Sequence, residues 1–159
     1  MSATAFRANV ESLESRLNLS TIKPSVLSVV PLQGSGTGQV TSTSVRLDRV
    51  LMSATVTGRS AGLGAFTGSG NAAFVPGTPA RGTGVVELRA ANGDTLDLSI
   101  RGSYRVVKPG DYNLPAAFKF TITGGTGALK TATGSGTITG VLNSINGAFR
   151  FRFNGRALV

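Results

Sequence analysis

Cysteine, histidine and tryptophan are absent from this chain, and their absence removes whole classes of chemistry. Without Cys there is no thiol nucleophile and no disulfide, and without His there is no imidazole base. Nearly every zinc or haem site goes with them, so no metal and no cofactor is expected. Acids are scarce too: 7 Asp and Glu stand against 16 Lys and Arg, a formal charge of +9. None follows Asp111. No stretch approaches the roughly 18 successive apolar residues of a membrane helix, so no spanning segment is expected. A chain without disulfides suits export and the cytoplasm equally.

What the chain does have is glycine, 22 residues of it in 159, set among Thr, Ser and Val and broken by frequent turn signals. That composition reads as all-β, and the length as one domain. Residues 1–23 are expected to form an N-terminal amphipathic helix or arm. Phe6, Val10, Leu13 and Leu17 recur at helical spacing. Residues 24–159 form the expected β-barrel domain.

The run Phe118–Gly140 organises that domain. Phe118, Phe120 and Ile122 share one parity and Lys119, Thr121 and Thr123 the other; Gly134, Gly136, Ile138 and Gly140 then alternate with Thr and Ser. Period two means strand. Upstream, Val26–Val30 reads as a short strand ended by Pro31, and residues 34–45 as a Gly/Thr strand. Residues 46–57 continue with a bulge near Asp48–Val50. Residues 57–75 hold two short strands or one bent one, and 76–82 a loop. In the hairpin over 85–102, two registers keep Val86, Leu88, Leu96, Leu98 and Ile100 on one face. The register pairing Ala90 with Asp94 is preferred because it gives Gly93 a left-handed turn position; it sets Glu87 opposite Asp97. Residues 104–115 read as a loop. For the last hairpin, Asn146-Gly147 suggests a two-residue turn pairing Leu142 with Phe151 and Gly140 with Phe153. Arg150, Arg152 and Arg156 then face outward. About eight antiparallel strands result, in a sandwich or an up-and-down barrel. The barrel is preferred, since inward glycines let strands coil enough to close.

Motifs for chemistry are thin. GGTGALKT, residues 124–131, has Leu129 where a phosphate-binding Walker loop needs Gly, and GLGAFTG lacks dinucleotide spacing. No acidic spacing suits calcium. Glu87 and Asp97 would form an acid/base pair only if their face lined a cavity. Tyr104 and Tyr112 are candidate hydrogen-bond donors at a barrel mouth. Glu87, Asp97 and Tyr104 are therefore the catalytic candidates, and Phe118, Phe120, Phe149, Phe151 and Phe153 the candidates for holding a ligand.

TITGGTGALKTATGSGTITG, residues 121–140, resembles the glycine-rich strand-turn-strand segment of the allene oxide cyclase and dirigent barrel superfamily. Gly124, Gly125, Thr126, Gly127, Ala132, Gly134 and Gly136 match, and Leu129 replaces the usual aromatic. The resemblance implies an eight-stranded barrel, often trimeric, with an apolar interior, and no active-site residue can be carried over. ESLESRLNLS is similar to a Leu-Glu-x-Arg-Leu-Leu export signature, with Asn18 in place of a Leu, which implies a secreted or cell-surface location.

Three functions are therefore expected in order. The first is a non-enzymatic, exported or surface-associated barrel that associates with itself and holds an apolar small molecule. The second is an isomerase or cyclase confining an apolar substrate. The third is polyanion binding through the basic surface. Nucleic acid is disfavoured, because the arginines are scattered without an aromatic stacking platform.

Overall fold

The structure, a computed structural model, describes residues 27–159 except 107 and 109. The expected N-terminal helix lies outside the described residues. Eight strands follow: β1 (Val29–Arg46), β2 (Arg49–Ser60), β3 (Gly64–Val75), β4 (Ala80–Ala90), β5 (Thr95–Tyr104), β6 (Asn113–Gly125), β7 (Thr133–Asn143) and β8 (Ala148–Leu158). Each pairs antiparallel with the next and β8 returns to β1, so the sheet is a closed up-and-down barrel. A 3-10 turn, Gly127–Leu129, joins β6 to β7.

Period two decides the inside. Most apolar residues and glycines of the strands point to the axis and most Thr, Ser and Arg outward, with Val29, Val75, Val85 and Val141 exposed on the outside. The seam between β1 and β8 shows why the barrel closes. Gly34, Gly36 and Gly38 stand opposite Phe153, Phe151 and Phe149, so each ring lies over a strand position that has no side chain. A Cβ built on Gly36 would come 2.6 Å from the edge of the Phe151 ring and closer still to the Thr57 carbonyl. Glycine here is a packing requirement.

Several local readings need correction. β1 runs through Pro31; there it pairs only with β8, since pairing with β2 starts at Gly34. A residue without an N–H is tolerated at such an edge position. The bulge expected at Asp48–Val50 lies between Val40 and Ser42. At Leu47-Asp48 the chain turns instead, with Leu47 at φ +46°, and a leucine there gives no turn signal in the sequence. Residues 57–75 divide at the 61–63 turn between β2 and β3. The β4–β5 hairpin takes the preferred register: Glu87 faces Asp97, the Ala90 N–H donates to the Asp94 carbonyl at 2.9 Å, and Gly93 has φ +93°.

The last hairpin is off by two residues from expectation, with Leu142 opposite Phe149 and Gly140 opposite Phe151. Asn143 is the cause. Its carbonyl accepts from the Gly147 N–H at 2.9 Å, and its side-chain oxygen accepts from the N–H groups of Ile145 and Asn146 at 3.0 and 3.2 Å. Those bonds hold a longer turn than Asn146-Gly147 alone would make. An even shift preserves parity, so the inner and outer faces are as expected.

Candidate functional site: an apolar cup open at one end

The two barrel ends differ. At one end Leu32, Leu63, Phe66, Leu96, Leu129 and Ala157 are buried against each other, forming a plug. Thr126 fastens it: its hydroxyl accepts the Thr95 N–H at 2.9 Å while its own N–H donates to the Thr95 carbonyl at 3.0 Å. Leu129 joins the plug from the 3-10 turn. Toward the other end the inward side chains are mostly only half-buried, Val40, Met52, Ala54, Ala72, Ala116 and Phe149 among them. They leave a cavity of about 200 Å³.

All five ligand candidates line this cavity: Phe118, Phe120, Phe149, Phe151 and Phe153. The rings pack in a ladder, Phe149 to Phe151 at 6.0 Å and Phe151 to Phe153 at 6.2 Å between centroids. Met52 and Phe74, both cavity-lining, escaped the sequence reading. Phe74 had a signal: it shares the parity of Phe66, Gly68 and Gly70 on β3.

Tyr104 is the polar exception inside. It ends β5 between Ala80 and Ala116, lines the cavity, and packs edge-on against Phe74 at 5.1 Å. Burial raises its hydroxyl pKa above 10.0, so the group is a neutral donor at physiological pH. Its hydroxyl makes no hydrogen bond to another described residue, and the side chain is half-buried, not sealed from water. Asn71 and Arg150 border the cavity from outward-facing strand positions.

Glu87 and Asp97 lie elsewhere. They stand side by side on the exterior of β4 and β5, with Arg89 4.0 Å from Glu87 on the same exposed surface. The fold does not bring them together with Tyr104. Tyr112 is exposed in the β5–β6 connection.

The exterior walls are rich in Thr, Ser and Arg. A transmembrane barrel has the reverse arrangement, an apolar band facing lipid. No helix among the described residues is long and apolar enough to cross a membrane. Comparison with family models, curated proteins and solved structures gives no match to the chain.

Proposed function

We propose that the protein is a binding module whose barrel takes up a compact, uncharged, largely apolar molecule carrying one hydrogen-bond acceptor. The observation that carries this reading is the one-ended apolar cavity with Tyr104 inside it. An engineered cavity of about 150 Å³ lined by Leu, Ile and Phe stays dry and accepts benzene, so about 200 Å³ suits a slightly larger body. Charge is selected against. Among the described residues no Lys or Arg occupies an inward position, and an unpaired carboxylate in an apolar interior is strongly disfavoured. One acceptor is selected for, since a ketone or ether oxygen can take the Tyr104 proton. The resemblance of residues 121–140 to the cyclase and dirigent barrels adds an analogy of fold alone. A cyclase working here would have to act through confinement and the Tyr104 hydroxyl.

Calorimetric titration with three molecules of matched size tests this. Acetophenone binds with a Kd of about 1 mM or tighter. α-Methylstyrene, which replaces the carbonyl by an alkene, binds about 3- to 10-fold more weakly, the worth of one hydrogen bond. Benzoate does not bind. Tyr104→Phe erases the preference for the ketone and keeps hydrocarbon binding. Failure of all three to bind, or benzoate binding best, overturns the reading.

A further inference from the structure

Strand directions put four connections around the open end: Leu47-Asp48, residues 76–79, the β5–β6 connection with its described residues Arg105, Val106, Lys108 and 110–112, and residues 144–147. Every one of them carries, or directly follows, an exposed apolar side chain. Leu47 is 106% exposed and Ile145 71%. Val106 and Tyr112 are exposed in the third connection, and Val75 precedes the second. This ring differs from the Thr- and Ser-rich walls below it.

Leu47 is the most informative member. Ser42–Arg46 pair with β2 alone, beyond the end of β8, so the β1–β2 hairpin projects past its neighbour and Leu47 is its tip. There it has φ +46°, a conformation that two-residue turns usually give to Gly or Asn. The turn thus carries a sterically unfavoured residue, and that residue presents its whole side chain to water.

Charge at the same end is one-sided. In the four connections and the three residues flanking each, Arg46, Arg49, Arg81, Arg105, Lys108 and Arg150 are cationic and only Asp48 and Asp111 acidic. Asp48 is itself 3.8 Å from Arg49. Apolar tips inside a cationic collar match the boundary of an anionic bilayer, where apolar side chains enter the acyl edge and Lys or Arg meet headgroup phosphates.

We infer that the open end of the barrel docks on the surface of an anionic lipid bilayer, with Leu47, Val106 and Ile145 at the acyl boundary. The barrel lies on the membrane without spanning it, and its mouth then opens toward the phase in which apolar molecules dissolve. This inference stands on the mouth residues and does not require the cavity to be occupied.

Co-sedimentation of the full chain with vesicles at low ionic strength tests it. Vesicles of phosphatidylcholine and phosphatidylglycerol in equal parts pellet the protein; pure phosphatidylcholine pellets much less. Leu47→Asp with Ile145→Asp weakens binding at least about tenfold, whereas Leu158→Asp at the plugged end leaves it unchanged. Because the chain has no Trp, Leu47→Trp supplies a single tryptophan whose emission shifts to the blue on adding anionic vesicles; Leu158→Trp does not shift. These readings need no ligand, and circular dichroism of each variant without vesicles certifies that it is folded. Absence of binding to anionic vesicles overturns the inference, as does equal loss in the Leu158 variant. Binding that salt abolishes and the Leu47/Ile145 change leaves intact marks a simple polyanion surface and also overturns it. So does a dimer that the double change dissolves without any vesicle binding, since the ring would then be a self-interface.

Discussion

Replacing Ala54 by Leu asks directly whether the barrel is hollow. Ala54 lies on β2 between Val40 of β1 and Gly70 of β3 and lines the cavity of about 200 Å³. Leucine adds three carbons. At about 0.8 kcal/mol per buried CH₂ their transfer from water is worth about 2.4 kcal/mol. Ordering a buried Leu side chain costs about 0.5–1 kcal/mol, which leaves a net stabilisation of about 1.5 kcal/mol. For a chain of this size each kcal/mol moves the midpoint by about 2–4 °C, so Tm rises by about 3–6 °C. Thermal unfolding followed by circular dichroism measures the shift. Urea titration checks that the m-value is unchanged and that stability alone has moved. The same substitution fills ligand space, so acetophenone binding falls as stability rises. A filled interior predicts the opposite sign: overpacking destabilises by about 1–3 kcal/mol. A lower Tm for Ala54→Leu therefore refutes the cup.

Gly36→Ala tests the seam. Its Cβ would meet the Thr57 carbonyl and the Phe151 ring; overpacking of about 1–3 kcal/mol, offset by about 0.4–1 kcal/mol from the stiffer unfolded chain, leaves a net loss of about 1–2 kcal/mol. A neutral or stabilising result in urea would show that the rings do not pack on the β1 glycines. Tyr104 gives a pH dependence. Its folded pKa lies above the ordinary 10.0, so its contribution is fully present below about pH 10. It is lost as pH rises through the folded value, because the unfolded chain releases the proton first. Ultraviolet absorbance titration of Tyr112→Phe, which leaves Tyr104 as the single tyrosine, shows a midpoint above 10.0; a midpoint at or below it removes Tyr104 from the apolar interior.

How much of this was legible before the fold was known depends on parity. Phe118 and Phe120 against Lys119, and Phe151 and Phe153 against Arg152, state which side chains face the axis, and a register error of two residues at the last turn left that intact. Turn chemistry was legible where the backbone demands it: Gly93 needs positive φ and fixed the β4–β5 register. It was illegible where a side chain overrides the rule. Leu47 adopts a turn that sequence signals assign to Gly or Asn, and the Asn143 side chain lengthens a turn that Asn146-Gly147 would have made in two residues. Pro31 looked like a terminator because the sequence does not say that β1 lacks a second neighbour there. The cavity was beyond reach for a different reason. Whether inward Phe and Gly fill a barrel depends on how the strands tilt and close, and Ala54 or Met52 carries no mark of lining a void. The mouth residues are single apolar positions in four separate turns, gathered only by strand direction.

A crystal pressurised with xenon tests the central claim most directly, since xenon enters dry apolar cavities and leaves polar or filled ones empty. The account predicts a xenon peak on the barrel axis between Ala54, Phe120 and Phe151. A chain of ordered waters there, or continuous side-chain density with no xenon, would contradict it.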